Sequence, residues 1–370
     1  MRCRIHEPDS PINMKKLLIP LLTLAILTSY GQNPAPARPQ TKTIALMGGT
    51  VHVGTGQVIQ NGVVLFSNGV ITNVVDGTLV RLNLTDVEVI DVSGKHVYPG
   101  IISPASTVGL QEIGSVRATV DKQEIGILNP NIRALIAYNT DSEIIPTIRN
   151  NGVLVTQAMP QGGTVSGSSS IMMADGWNWE DAVLKKDDGI WLNWPAYLAR
   201  DFNFEDFTTV IRKNEKRAAA IDALKATFAD AKAYAALPKP TPMNLKLESM
   251  RGLFSGEQNL YIRADYGKDI IDGVTFAKSM GIPKIVIVGG EEAYRAVTFL
   301  KENNIPVILS ELHRLPNRED EDVDMPYKMP GILQKAGILV SLSYADGWWR
   351  TRNLPFLAGT AAGFGVTDRE

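Results

Sequence analysis

Histidine is the side chain on which metal binding and general acid–base chemistry most often depend, and it is scarce in this chain. The chain contains four: His6, His52, His96 and His313. Only His313 lies where chemistry is expected, because it directly follows a predicted strand, residues 305–310. Loops after the strands of a parallel barrel form its catalytic face. His313 is therefore a candidate functional residue, with a solvated, charge-balanced loop as the alternative, whereas His52 and His96 are predicted to be structural.

Two other common catalytic arrangements are excluded by their spacing. Residues 161–170 are rich in glycine and serine but do not end in Gly-Lys-Ser/Thr, as a phosphate-binding loop does. Within them, Gly167-Ser168-Ser169 lacks the Gly-x-Ser-x-Gly spacing of a nucleophile elbow. The sequence therefore predicts neither nucleotide binding nor a serine hydrolase. We expect a short third strand, residues 171–173, to follow this stretch.

Composition points to an ordinary globular protein. The chain has 370 residues, of which 44% are hydrophobic and 21% charged, with a formal net charge of -2. A net charge this close to zero argues against nucleic acid or an anionic membrane as a partner. The single cysteine, Cys3, excludes an internal disulfide.

The N-terminal region has the form of a signal peptide. Met14, Lys15 and Lys16 precede an apolar run, residues 17–27, and small residues follow at 29–31. A short transmembrane anchor is the alternative, but the run is too short to span a bilayer comfortably. We therefore predict translation from Met14, an upstream extension of unassigned role, and export to the periplasm. A proline-rich linker, residues 32–42, is predicted to follow.

The next segment predicts a small β-domain, residues 43–95. Apolar strand patterns at 44–52, 62–66 and 70–74 surround the turn Ser67-Asn68-Gly69. Asn-Gly between two apolar runs is the strongest short signal for a hairpin. We expect an antiparallel β-sandwich unit here, closed by the acidic stretch 87–95.

The remainder, residues 96–370, alternates strand and helix patterns. The predicted strands are residues 97–102, 153–158, 171–173, 189–195, 260–265, 284–290, 305–310 and 338–343. Helices are predicted at 214–236, 268–280 and 291–303. Eight βα units predict an α/β fold with a parallel sheet closed into a TIM-like (β/α)8 barrel. The alternative is an open doubly wound sheet, which would carry a glycine-rich turn after its first strand.

The most specific motif joins the small β-domain to the barrel. Six residues match the pattern Asp-x-x-Gly-Lys-x-x-x-Pro-Gly-x-Ile: Asp91, Gly94, Lys95, Pro99, Gly100 and Ile102. In this the chain resembles the amidohydrolase superfamily, and within it the imidazolonepropionase-like and prolidase-like branch. The resemblance covers about residues 43–370. It implies a TIM-like barrel, a divalent metal such as zinc, and hydrolysis of C–N bonds in small cyclic amides or dipeptide-like substrates.

The same motif departs from the family at its metal ligands. The family continues with Asp-x-His-x-His, and this chain has Ser103, Ala105 and Thr107 at those three positions. By the same resemblance, the histidine positions of strands five and six hold Arg263 and Gly289. Alanine and glycine offer no donor atom, and arginine stays protonated. No cofactor is therefore expected from this sequence, although the family implies zinc or another divalent metal.

The remaining candidates are also carried over from the resemblance. Asp346 matches the strand-eight aspartate that serves the family as metal ligand and general base. Arg263 is hypothesised to occupy part of the metal's space and to pair with Asp346 or Asp265. The alternative is a loop arginine paired with any nearby carboxylate. His313 and Arg314 match a His-Arg-Leu-Pro loop of related exported amidohydrolases, which implies substrate contact.

Two functions follow from this pattern. The first is an exported amidohydrolase with an altered site. The second is a catalytically inactive homologue that binds a small molecule, an active amidohydrolase paralogue or a second copy of itself. The residues favour the second, because four of the five ligand positions are replaced. A capping box at residues 367–370 predicts the opening of a further helix, so the C-terminus is interpreted as truncated.

Overall fold

The computed structural model describes residues 36–367, apart from residues 206, 239, 317, 319 and 346. The predicted upstream extension and signal peptide, residues 1–31, lie outside the described residues, as do Asp346 and most of the predicted capping box. Within the described part of the chain, no helix is both long and apolar enough to cross a membrane.

The N-terminal β-domain is a single five-stranded sheet. Its strands are β1 (Thr43–His52), β2 (Val58–Ser67), β3 (Val70–Asp76), β4 (Val87–Asp91) and β5 (His96–Val97). The order is β3-β2-β1-β4, and β5 also pairs with β1. The hairpins β1–β2 and β2–β3 are antiparallel as predicted, but β4 and β5 run parallel to β1. The sheet is therefore mixed, because the loop before β4 carries the chain back to the other edge of β1.

The Asn-Gly hairpin is confirmed. Asn68 and Gly69 both have positive φ, 51° and 74°. Two consecutive residues with positive φ form the turn whose twist matches that of the flanking strands. The turn fixes the β2–β3 register, in which Ser67 pairs with Val70.

The barrel sheet contains eight strands in the order β15-β14-β13-β12-β9-β8-β7-β6. Ser343 in β15 closes the circle, since its hydroxyl donates to the carbonyls of Pro104 at 2.6 Å and Ala105 at 3.2 Å. The predicted TIM-like architecture is confirmed. The barrel strands are β6 (Ile101–Ser106), β7 (Val153–Ala158), β8 (Val165–Met173), β9 (Val183–Asn193), β12 (Asn259–Ala264), β13 (Ile285–Gly289), β14 (Val307–Ser310) and β15 (Val340–Ser343).

The third barrel strand corrects the prediction of an all-parallel sheet. β8 begins at Val165, before the predicted start of the third strand at residue 171, and pairs antiparallel with both neighbours. The reason is connectivity, because a short loop joins β7 to β8 without a crossover helix. The serines of this strand are buried in the sheet, so a polar sequence conceals a barrel strand.

The first barrel strand begins later than predicted. The prediction of 97–102 spans two strands, β5 and β6, separated by Tyr98, Pro99 and Gly100. Proline lacks the N–H that a central strand must donate, so pairing is interrupted there. His96 therefore belongs to the small sheet, not to the start of a barrel strand.

Nine helices are described around these sheets, and the two long helical predictions are confirmed. Residues 214–236 contain a helix at Arg217–Ala235, and 268–280 one at Gly267–Met280, which ends at Gly281 with φ 83°. The prediction at 291–303 is broken into a 3-10 turn, Ala293–Ala296, and a short helix. The helices are α1 (Ile144–Arg149), α2 (Trp179–Ala182), α3 (Arg217–Ala235), α4 (Leu245–Ser249), α5 (Arg251–Ser255), α6 (Gly267–Met280), α7 (Val297–Glu302), α8 (Met325–Lys335) and α9 (Leu354–Gly363).

A two-stranded hairpin between β9 and α3 was not predicted. Its strands, β10 (Leu198–Asn203) and β11 (Thr208–Lys213), pair only with each other among the described residues. Every residue of β11 is exposed. The hairpin therefore stands away from the barrel core, and alternation of apolar and polar residues could not reveal it.

Candidate functional site

The interior of the barrel holds a compact apolar cluster where the strands end. Seven side chains pack together there, one from each barrel strand except β8 or from within two residues of the end of that strand. They are Ala105, Met159, Trp191, Tyr261, Val288, Ile308 and Ala345. All are less than 9% exposed, so they fill the space inside the barrel. We call these seven residues the apolar plug.

Ala105 and Thr107, which stand at the two strand-one positions where the family has histidine ligands, lie in or beside this plug. Ala105 is fully buried and has φ 50°, an unusual conformation for a residue other than glycine. Thr107 is also fully buried, and its hydroxyl has no hydrogen-bond partner among the described residues. Neither position presents a donor to an open site.

The strand-six position, Gly289, has φ 98°, a backbone conformation that favours glycine. A Cβ built there would lie 2.2 Å from a carboxylate oxygen of Asp265, so a side chain at 289 would require Asp265 to move. The carboxylate of Asp265 thus fills the space that a ligand at 289 would need.

Arg263 lies on the inward face of β12. Side chains two residues apart point to the same face of a strand, and Tyr261 belongs to the apolar plug. Arg263 is half-buried, one layer nearer the end of the strand. Its hypothesised partner Asp346 lies outside the described residues, so that pairing stays a prediction.

Together these positions do not fit the metal centre that the resemblance implies. In the described ranges, no group of three or more histidine, cysteine, aspartate or glutamate side chains lies close enough together to hold a metal. The plug supplies methyl, thioether and aromatic groups, whereas zinc requires thiolate, imidazole or carboxylate donors. These residues therefore do not support hydrolysis by a metal-bound water.

A buried carboxylate, Asp188, lies against the plug within the barrel and was not predicted. It accepts hydrogen bonds from the hydroxyls of Ser169 and Tyr261, both at 2.7 Å, and from the amide of Gln157 at 2.8 Å. Only 2% of Asp188 is exposed. Burial raises the pKa of its carboxyl group above the usual value, while these hydrogen bonds act in the opposite direction.

This network supports the plug from within. The Tyr261 ring stacks on Trp191 with centroids 4.8 Å apart and an interplanar angle of 13°. Gln157 accepts a hydrogen bond from the backbone N–H of Ala105 at 2.9 Å, which ties β7 to the end of β6. Gln157, a polar residue near the end of the strand 153–158, was the available sequence signal. No sequence signal pointed to Asp188, because it follows Lys185, Lys186 and Asp187 in what resembles a charged turn.

The structure places His313 away from the barrel interior. Its Nε2 lies 2.9 Å from the Thr360 hydroxyl in α9, and its ring meets Tyr327 of α8 edge to face at 6.1 Å. Both neighbours belong to the outer helices. The predicted contact of His313 with substrate has no counterpart in this geometry, and it stays a prediction.

Arg314 is enclosed by acidic groups. Its side chain is 13% exposed and lies 3.8 Å from carboxylate oxygens of both Glu291 and Glu321. It also donates to the Glu291 carbonyl at 3.3 Å. This guanidinium therefore fastens the loop after β14 to the loop after β13, and its charge is compensated within the protein.

Comparison with solved structures identifies proteins with a similar fold. The chain resembles an amidohydrolase from Thermotoga maritima, with TM-score 0.74 and 22% identity over 88% of this chain and 85% of that one. A Xaa-Pro dipeptidase is 11% identical over 88% and 85%, with TM-score 0.48. A guanine deaminase from C. acetobutylicum is 13% identical over 87% and 79%, with TM-score 0.42. The likeness to the Thermotoga maritima amidohydrolase shows a shared fold. No protein-family model matches the chain, and neither does any curated protein.

Proposed function

We propose that this chain is an amidohydrolase-superfamily protein that acts by binding rather than by metal-dependent hydrolysis. The observation that carries the proposal is the apolar plug, which fills the barrel interior where the resemblance would place a metal. The fold shared with the Thermotoga maritima amidohydrolase supports the superfamily part of the proposal.

The chemical reason is the loss of an activated water. In a metal-dependent hydrolase, the ion lowers the pKa of bound water so that hydroxide forms near neutral pH. Ala105, Gly289 and the plug residue Val288 offer that ion no donor atom. Arg263, which stays protonated, would repel a cation. A C–N bond in an amide would therefore meet no nucleophile generated in this way.

Between a small molecule and a protein as the bound partner, the exposed hairpin favours a protein. Phe204 and Phe207 are 80% and 77% exposed, and Phe202 packs edge to face on both, with centroids 4.9 and 6.3 Å away. Clustered exposed aromatic side chains mark interaction sites. A two-stranded ribbon is also only marginally stable alone, so a partner strand or surface would stabilise it. Among protein partners we propose a second copy of this chain, because two identical two-stranded hairpins can pair edge to edge about a twofold axis.

Metal content tests the loss of hydrolysis. Purified full-length protein is loaded with zinc, dialysed exhaustively against metal-free buffer and analysed for metal per protomer, together with an Asp265→Ala variant. We expect a value near zero for both, and no hydrolysis of cyclic amides or dipeptides. One tightly held zinc per protomer that survives dialysis would contradict the proposal. The same measurement on a His52→Ala/His96→Ala variant excludes surface histidines as the source.

A further inference from the structure

Two histidines of the small sheet face each other directly. Nε2 of His52 lies 2.9 Å from Nδ1 of His96, and the two ring centroids are 5.2 Å apart. His96 is exposed and His52 is half-buried. The proposed function leaves this pair unexplained, since it lies on the small sheet.

The strands fix where these rings can be. His52 is the last residue of β1 and His96 the first of β5, and the two strands pair in parallel with Thr50 opposite His96. Tyr98 stacks on the His52 ring, with centroids 4.2 Å apart and an interplanar angle of 14°. Paired backbone and a stacked ring therefore hold the two imidazoles in place before any ligand arrives.

The separation of the two nitrogens suits a shared metal ion. Imidazole nitrogens bind divalent transition metals at ~2.0–2.1 Å, which puts two adjacent ligands roughly 3 Å apart. The observed 2.9 Å lies at that value. Without metal, one ring donates its N–H to the other. Binding requires that this proton move to the far nitrogen of the same ring and that both rings turn about their side-chain bonds, so that the two lone pairs converge on the ion.

We infer that His52 and His96 form a two-imidazole chelate for a divalent transition ion of the nickel, copper and zinc class. Imidazole is a preferred ligand of these ions. Because no third acidic, thiol or imidazole side chain lies close enough in the described ranges, water completes the coordination. The bound ion exchanges with solvent, and it links β1 to the segment that leads into the first barrel strand.

Nickel titration of the full chain tests this inference. All samples carry Cys3→Ser, so that the single thiol cannot add a ligand. Ni²⁺ affinity is measured by isothermal titration calorimetry for this background and for His52→Ala and His96→Ala. Two tethered ligands bind more tightly than one, so each variant should lose about tenfold in affinity or more. The matched controls His6→Ala and His313→Ala should keep the original affinity.

A second readout does not depend on the heat of binding that calorimetry measures. Saturating Ni²⁺ should raise the melting temperature of the background protein and of both controls, but not that of the two pair variants, because a ligand stabilises the state that binds it. The inference is overturned if Ni²⁺ does not bind, if either pair variant binds as tightly as the background, or if a control loses the affinity. Circular dichroism confirms that each variant is folded.

Discussion

The hydroxyl of Tyr261 donates to the carboxylate of Asp188 at 2.7 Å inside the barrel, while the ring of the same tyrosine stacks on Trp191. One residue thus connects the buried polar network to the apolar plug. This hydrogen bond ties the plug residue Tyr261 to the neighbouring strand β9, which carries Asp188.

Removal of that hydroxyl should destabilise the protein without disturbing the stack. Tyr261→Phe keeps the ring but leaves a buried carboxylate with one donor fewer, which costs about 1–3 kcal/mol. Urea unfolding followed by circular dichroism measures the change. Tyr98→Phe, at a residue that is 62% exposed, is the control and should be neutral. Equal stability of Tyr261→Phe and the unchanged protein would show that the bond contributes nothing.

The raised pKa of Asp188 predicts a pH dependence of stability. Because the folded-state pKa of the Asp188 carboxyl lies above its ordinary value of about 3.8, the folded state holds this proton more tightly than the unfolded state. The contribution is complete below about pH 3.8 and is lost as pH rises through the folded-state pKa. Asp188→Asn should remove this loss.

The measurement is the free energy of unfolding at several pH values from 4 upward. The difference between Asp188→Asn and the unchanged protein should move in favour of the variant as pH rises, since the asparagine carries no charge to bury. A flat difference for Asp188→Asn would mean that the carboxyl titrates alike in both states.

Restoration of a histidine at the strand-one position should not restore a metal site. Ala105→His places a large side chain in a fully buried position with φ 50°, so overpacking and strain should cost about 1–3 kcal/mol or more. We expect a lower melting temperature and no zinc retained after dialysis. Ala226→His, on the exposed side of α3, is the matched control and should be tolerated. A stable Ala105→His variant that retains zinc would show that the plug adapts readily.

The hairpin aromatics should govern self-association. Phe204→Ser/Phe207→Ser removes the two most exposed rings of the cluster, and it should shift the protein from dimer to monomer in light scattering coupled to gel filtration. Trp177→Ser, which removes a 70% exposed aromatic side chain elsewhere, should leave the dimer unchanged. A monomer before mutation, or a dimer that persists afterwards, would contradict the second copy as partner.

Much of the barrel could be predicted because its strands are continuous apolar runs. The second strand was predicted with its bounds, Val153–Ala158, and the fifth to eighth strands lie within or next to their predicted ranges. Glycine residues in the sequence predicted the Asn68-Gly69 turn and the end of α6 at Gly281. These features depend on local sequence, which is where pattern arguments are strongest.

The rest depends on contacts between distant residues. β8 is rich in serine, and only its neighbours in the sheet bury it. Asp188 has partners on three other strands, β7, β8 and β12, so no spacing along the chain announces it. The plug could not be predicted either, because the sequence showed that Ala105 replaces a ligand but not that Ala105 packs with Met159 and Trp191.

The reversed third strand also has a consequence for how the chain folds. β7, β8 and β9 are consecutive in sequence and pair antiparallel in turn, so this part of the barrel requires only short loops to close. By contrast, the bond from Ser343 to Ala105 joins residues 238 positions apart. Local contacts form faster than distant ones. The order of events we expect is a β7–β8–β9 nucleus first and the meeting of β15 with β6 last.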